Sequence, residues 1–156
     1  MEQFQLTDEL INKIADLILA KNNSKLKKLV NDIHFADMAD IINLLNENQG
    51  VYLIKLFDSE KTSEILTELD EDVRLKILKG LSVKEIAGEI EELDSDDAAD
   101  ILAELSEERK EEVISEISDD NLADDLIELL SYKEDSAGGL MAKELVKANE
   151  NWTILK

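Results

Sequence analysis

The sequence predicts an all-α fold, a superhelical solenoid of short helices with a twelve-residue period. Apolar residues recur eight times at that interval, and an aliphatic residue stands three positions before each of them, which is a helical separation. Seven of the eight are followed directly by a residue type that caps helix starts. The eight marks are Leu45, Phe57, Leu69, Leu81, Leu93, Leu105, Ile117 and Leu129; the residues three before them are Ile42, Ile54, Leu66, Leu78, Ile90, Leu102, Ile114 and Leu126; the caps are Asn46, Asp58, Asp70, Ser82, Asp94, Ser106 and Ser118.

Residues 1–33 precede the repeats, and their pattern predicts a leading cap of two helices. An amphipathic segment spans residues 7–20 and starts on Thr7, a good capping residue. Residues 22–24 break it, and helical spacing resumes over residues 25–33. The repeats follow over residues 34–131, and the sequence contains no proline to break them.

Each repeat leaves about ten residues for a helix of about 15 Å, which is too short to persist alone in water. Stacking must therefore stabilise it, and we expect a right-handed, armadillo-like array in which a pair of units is the structural repeat. Gly88 lies inside its unit, where glycine weakens a helix by about 1 kcal/mol relative to alanine. Small residues six positions before the marks would let neighbouring helix axes approach closely: Ala39, Ser63, Ala87, Ala99 and Ala123.

The composition favours a folded, cytoplasmic domain. The chain has 156 residues, 44% of them hydrophobic, and no cysteine, so it can form neither disulfides nor thiolate metal sites. Its formal net charge is −21, and residues 91–125 hold sixteen acidic side chains against only Arg109 and Lys110. Such a field repels nucleic acid and anionic lipid surfaces, and it attracts cations or a basic protein surface. We expect no nucleic-acid partner.

The repeat ends after Leu129. Residues 132–142 contain the only Gly-Gly pair, which predicts a bend or linker. Residues 143–156 are too short to form a domain, and apolar side chains such as Trp152 have no local partner there. We therefore interpret them as the beginning of a further domain.

Four pieces of the chain resemble the amino-terminal cytosolic domain of MgtE-type magnesium transporters. The pieces are IHFADMAD at residues 33–40, DSDDAADIL at residues 94–102, YKEDSAGGLM at residues 132–141 and NWTI at residues 151–154. Two places where that family often has proline hold Phe35 and the pair Ala142-Lys143 instead.

This resemblance implies a domain order and a set of partners. Residues 1–131 would be the helical N domain, residues 132–142 the linker, and residues 143–156 the truncated start of a CBS domain. The partners would be the CBS and transmembrane domains of the same full-length protein, a homodimer at the cytoplasmic side of the membrane. The implied function is to sense intracellular Mg²⁺ and gate the pore.

Asp96 and Asp100 are the main candidate ligands. They stand four residues apart, so a helix presents both carboxylates on one face, and Mg²⁺ is commonly held by one or two carboxylates plus retained water. The resemblance implies that they share regulatory Mg²⁺ with carboxylates of the CBS module, and that Glu64 matches another such acidic position. Binding to this chain alone would be weak. The alternative is that these are solvated surface acids near helix starts, as other paired acids of the chain are expected to be.

We expect no enzymatic activity. The sequence contains no phosphate-binding loop, nucleophile elbow or zinc motif, and its single histidine, His34, is expected to pack or to cap a helix. The alternative function is a solenoid scaffold that binds a basic or helical protein, similar to the helical domains of the flagellar rotor.

Overall fold

The computed structural model describes residues 5–133 and 136–144, and within them the chain forms ten helices and no strand. Most of the helices are short, as the repeat length requires. Their bounds are α1 Asp8–Leu19, α2 Asn23–Val30, α3 Phe35–Asn43, α4 Glu47–Ile54, α5 Ser59–Glu68, α6 Glu71–Gly80, α7 Val83–Ile90, α8 Ser95–Ala103, α9 Glu107–Glu116 and α10 Asp120–Leu130. None of these helices combines the length and the apolar character needed to cross a bilayer.

Six of the seven predicted caps are confirmed as N-cap residues. Four of them accept a hydrogen bond from the third residue of their helix: Asn46, Asp58, Ser82 and Ser106. The predicted cap at Ser118 is wrong, because the N-cap of α10 is the next residue, Asp119, whose carboxylate accepts from the Asn121 amide at 2.9 Å. The Ser118 amide is instead hydrogen-bonded to the carboxylate of Glu91.

The leading cap differs slightly from its prediction. α1 begins after Thr7 as expected, but the expected break at residues 22–24 is mostly helical, since Asn22 is the N-cap of α2 and accepts from the Lys25 amide at 3.2 Å. The turn between the two helices is made at Lys21, which has a φ of 50°.

The aliphatic residues three before the marks form part of the core. Seven of those eight are at most 2% exposed: Ile42, Ile54, Leu66, Leu78, Ile90, Leu102 and Leu126. Full burial of such a side chain stabilises the fold by about 1.5–3 kcal/mol. Small residues six before the marks are buried as well, among them Ala39, Ser63 and Ala87. The twelve-residue pattern therefore identifies the buried stripe of each helix.

Helices pack mainly against helices two places along the chain. α3 packs on α5, α5 on α7 and α7 on α9, while α4 packs on α6 and α8 on α10. The helices in contact are thus separated by two repeat units, so a pair of units is the packing repeat.

Side chains spaced two repeat units apart form polar ties between helices three places apart in the chain. Lys61, Glu85 and Arg109 each occupy the third position of their helix, and each bonds to the chain just beyond a helix three places earlier. The Lys61 ammonium donates to the carbonyls of Asn31 and Ile33, both at 2.9 Å. The other two ties join Glu85 to Lys55 at 3.0 Å, and Arg109 to the Leu81 carbonyl at 2.5 Å.

Arg74 makes the most extensive polar contacts among the described residues. Its guanidinium on α6 donates to the carbonyls of Leu66 and Leu69 at 3.1 and 3.2 Å, at the end of α5, and pairs with the carboxylate of Glu104, the C-cap of α8. The side chains of Arg74 and Glu104 are only 15% and 13% exposed. One residue therefore satisfies helix-end carbonyls and neutralises a nearly buried carboxylate.

Replacing Arg74 by methionine should lower the free energy of unfolding by about 3 kcal/mol, because Glu104 and the α5 carbonyls would stay buried without a partner. Urea unfolding followed by circular dichroism measures the loss. The matched control is Lys76→Met, which breaks the exposed Lys76–Asp72 pair and should cost less than about 1 kcal/mol. An equal effect of the two substitutions would contradict this role for Arg74.

Replacing Gly88 by alanine should stabilise the chain by about 0.5–1 kcal/mol, because a Cβ there meets only the Ser59 hydroxyl, at 3.8 Å. Gly80→Ala is the contrasting variant and should destabilise, since its Cβ would overlap the side chain of Val51. Thermal unfolding of both variants checks that the changes in stability have opposite signs. A gain in stability from Gly80→Ala would contradict the prediction, because it would show that the α4–α6 contact accommodates the added methyl group.

Candidate functional site

The start of α8 concentrates carboxylates. Asp94 is its N-cap, Asp96 and Asp97 lie in the first turn, and Asp100 follows one turn later. Asp96 and Asp100 therefore lie on one helix at the predicted spacing of four; Asp96 is half-buried and Asp100 is exposed. The helix N-terminus favours negative charge at this end, so the fold tolerates the cluster.

The basic residues nearest in sequence are engaged elsewhere. Residues 91–125 contain only Arg109 and Lys110 as cations. Arg109 donates to the carbonyl of Leu81, and Lys110 pairs with Glu107 on its own helix at 2.9 Å. Both of these contacts lie outside α8.

The pKa of Asp97 reflects the high density of negative charge around it. Burial raises its pKa above the ordinary aspartate value, and the neighbouring charges of Asp96, Asp94 and Glu68 raise it further. Glu68 belongs to α5, so a carboxylate of another helix adds to the field at the start of α8. Sequence reasoning did not single out Asp97 or Glu68, although the run of aspartates at residues 94–97 was the available signal for Asp97.

A distant carboxylate completes the N-terminus of α8. The Asp94 side chain makes no capping hydrogen bond. Instead, the amide and hydroxyl of the fully buried Ser95 donate to the carboxylate of Glu144, at 2.9 and 3.1 Å. Burial raises the pKa of Glu144, but hydrogen bonds from backbone amides, that of Ser95 included, outweigh this and hold it below the usual range. Residue 144 therefore lies against α8; the rest of the predicted CBS start, residues 145–156 with Trp152, falls outside the described residues.

Glu64 lies on α5, apart from the α8 cluster. It is exposed and lines an open groove of about 440 Å³ together with His34, Asp58 and Lys61. His34 caps α3, with its Nδ1 accepting from the Ala36 amide at 3.3 Å, so the expectation that it caps or packs is confirmed. The structure therefore brings Asp96 and Asp100 together on one helix but does not add Glu64 to them.

The described residues contain no group of three or more His, Asp or Glu side chains arranged to hold a metal ion. Carboxylate oxygens are suitable ligands for Mg²⁺, which prefers six oxygens in octahedral order and keeps several waters. Asp96 and Asp100 fit part of such a shell, and water or another carboxylate-bearing module would have to supply the rest.

Glu89 of α7 is a further perturbed carboxylate. Burial raises its pKa to about 7, and the negative charges of Glu85, Glu92 and Asp58 add to the shift. One of its carboxylate oxygens is buried without a hydrogen-bond partner. The charged form is therefore disfavoured near neutral pH.

Comparison with known proteins identifies relatives of this fold. Residues 33–135 match the family model MgtE_N, described as the MgtE intracellular N domain. The crystal structure of the soluble part of a magnesium transporter is 20% identical, with a TM-score of 0.75, and the match covers 89% of this chain and 55% of that chain. That of the cytosolic domain of the Mg²⁺ channel MgtE in complex with ATP is 24% identical, with a TM-score of 0.73 and coverages of 85% and 54%. The chain thus spans about half the length of these structures. No curated protein matches it.

Replacing Glu89 by glutamine should stabilise the chain at pH 8 by about 1 kcal/mol, after a discount for solvent screening, and should have little effect near pH 4.5. Between about pH 4.5 and 7 the folded state keeps a proton that the unfolded state loses, so rising pH weakens the parent and not the variant. Urea unfolding at the two pH values measures the difference. Glu116→Gln, an exposed change, is the control, and a pH-independent effect at Glu89 would contradict the assignment.

Proposed function

The chain belongs to the MgtE intracellular N domain family, and we propose that it senses intracellular Mg²⁺ and thereby gates the pore of a magnesium transporter. The observation that carries this proposal is the dense negative charge at the start of α8, where Asp96 and Asp100 share one helix. The family is one of transporter domains, and we propose no catalytic role for it.

The proposed domain arrangement is that of a longer protein. We infer that residues 1–131 form the N domain, with residues 1–33 as leading cap and residues 34–131 as repeats, that residues 132–142 are a linker, and that residues 143–156 begin a CBS domain. The partners are then the CBS and transmembrane domains of the same protein, dimeric at the cytoplasmic side of the membrane. The two structural relatives are a soluble part and a cytosolic domain of such proteins, which supports this placement.

We also propose that the helices wind into a superhelical, armadillo-like solenoid. Helices two places apart pack together, and the ties from Lys61, Glu85 and Arg109 recur at every second repeat unit. Both observations support a regular rotation from one pair to the next. In such an array, the acidic start of α8 can face a neighbouring module.

The proposed mechanism is a shift in population. At low Mg²⁺, like charge separates this domain from an acidic neighbour; at high Mg²⁺, ions held between Asp96, Asp100 and carboxylates of the neighbour draw the two together and favour a closed pore. Glu64 is proposed as a further, separate ligand. A change from 1:99 to 99:1 needs about 10⁴-fold tighter binding to the compact state, which favours several weak sites acting together. The chain alone holds only part of each shell and should bind Mg²⁺ weakly.

The test is small-angle scattering of the longer protein that carries the CBS modules. We expect Mg²⁺ to reduce its radius of gyration while NaCl of equal ionic strength does not, because a divalent ion bridges carboxylates and a screening salt does not. Asp96→Asn with Asp100→Asn should remove part of the compaction and leave the helix content unchanged.

The matched control replaces an exposed acidic pair with the same spacing, Glu108→Gln with Glu112→Gln on α9, and should compact as the parent does. Equal compaction of the parent by both salts, or none by either, would contradict the sensor function and favour the protein-binding scaffold.

A further inference from the structure

The chain that leaves α10 turns back onto the helices it has just left. A turn at residues 136–140 follows α10, with the Leu140 amide donating to the Ser136 carbonyl at 3.1 Å. Gly138 lies so close to the ring of Tyr132 that a Cβ there would be 2.7 Å from ring carbons. This close approach directs residues 141–144 toward the start of α8.

Two adjacent charged residues of opposite sign hold this segment. The Lys143 ammonium contacts carboxylate oxygens of Glu128 and Asp125 on α10, at 2.6 and 3.5 Å. The next residue, Glu144, accepts hydrogen bonds from the amide and the hydroxyl of Ser95 on α8, and the Lys143 amide donates to the Ser95 hydroxyl at 2.8 Å. Each charge therefore meets its complement: the cation lies among acids, and the anion lies at a helix N-terminus.

Apolar burial contributes little to this contact. Leu140 is 68% exposed and Met141 is also exposed, whereas α8 is anchored by fully buried residues such as Leu102. Segments held by few polar bonds, with little buried apolar surface, open locally at a much lower free energy than the whole domain. The segment is therefore held mainly by polar bonds, whereas the helices are held by buried apolar side chains.

We propose that residues 136–144 form a strap, closed by Lys143 and Glu144 across α8 and α10, which cations open while the helices stay folded. Cations screen the attraction between Lys143 and the α10 carboxylates, and they compete for those carboxylates. Closed, the strap holds residue 144 against the acidic start of α8. Open, it frees the chain beyond it to leave in another direction from the bend at Gly138-Gly139.

The strap would thus set where the next module begins. It goes beyond the proposed Mg²⁺ sensing, because it needs neither a bound metal nor a second domain, and it can be tested in this chain with monovalent salt alone. Failure of the strap would not bear on the shared Mg²⁺ site, and failure of the scattering experiment would not bear on the strap.

The amide of Ser95 is the reporter. It is the first amide of α8, so it has no acceptor within the helix, and its hydrogen bond goes to Glu144. Hydrogen exchange by NMR should show it protected in the parent at low salt. Glu144→Ala should speed its exchange at least tenfold, and Lys143→Met severalfold, while the Leu102 amide keeps its protection.

Raising NaCl from about 20 mM to about 500 mM should likewise speed exchange at Ser95 and not at Leu102, since salt screens exposed charges. The controls are Glu116→Ala and Lys84→Met, exposed changes elsewhere on the surface, which should leave Ser95 protected. The proposal is overturned if Ser95 stays protected in Glu144→Ala, if salt has no effect on it, or if Ser95 and Leu102 always exchange together. Should Glu144→Ala fail to fold, Lys143→Met and the salt series on the parent decide the matter.

Discussion

Short helices make the satisfaction of helix ends the central constraint of this structure. A helix of eight to twelve residues leaves its first four amides and last four carbonyls without partners, so in the shortest of these helices about half of the backbone groups need partners outside the helix. The two ends are treated differently. Most starts are capped by the residue just before the helix, whereas some ends are bound by cations from far along the chain, as when Lys61 binds the carbonyls of Asn31 and Ile33 just beyond α2.

That difference explains what the sequence could predict. A capping residue and the amide it accepts from are three positions apart, so Asn46, Asp58, Ser82 and Ser106 could be identified by spacing alone, and the buried stripe followed from the same twelve-residue period. Most of the contacts at the carboxyl ends of the helices could not be identified from spacing, because they join residues far apart in the chain. Lys61, Glu85 and Arg109 recur at every second repeat unit with alternating sign, which conceals their common role.

In the acidic site, too, the local features could be predicted from the sequence and the long-range contacts could not. The helix that carries Asp96 and Asp100 follows from local pattern, and so does their common face. The field around Asp97 depends on Glu68 of another helix, and the cap on Ser95 comes from a carboxylate much later in the chain. Neither has a local signal: a glutamate near the end of the chain resembles any other surface acid until the backbone turns at Gly138 and brings it back.

The ties at every second repeat unit also limit how such a domain can change length. Loss of a single unit would exchange the helices that contact each other and would separate Lys61 or Arg109 from the carbonyls that it binds. Loss or duplication of a whole pair would keep the contacts between helices two places apart. Relatives of this array should therefore grow or shrink by two helices at a time, so that its evolutionary unit is the pair.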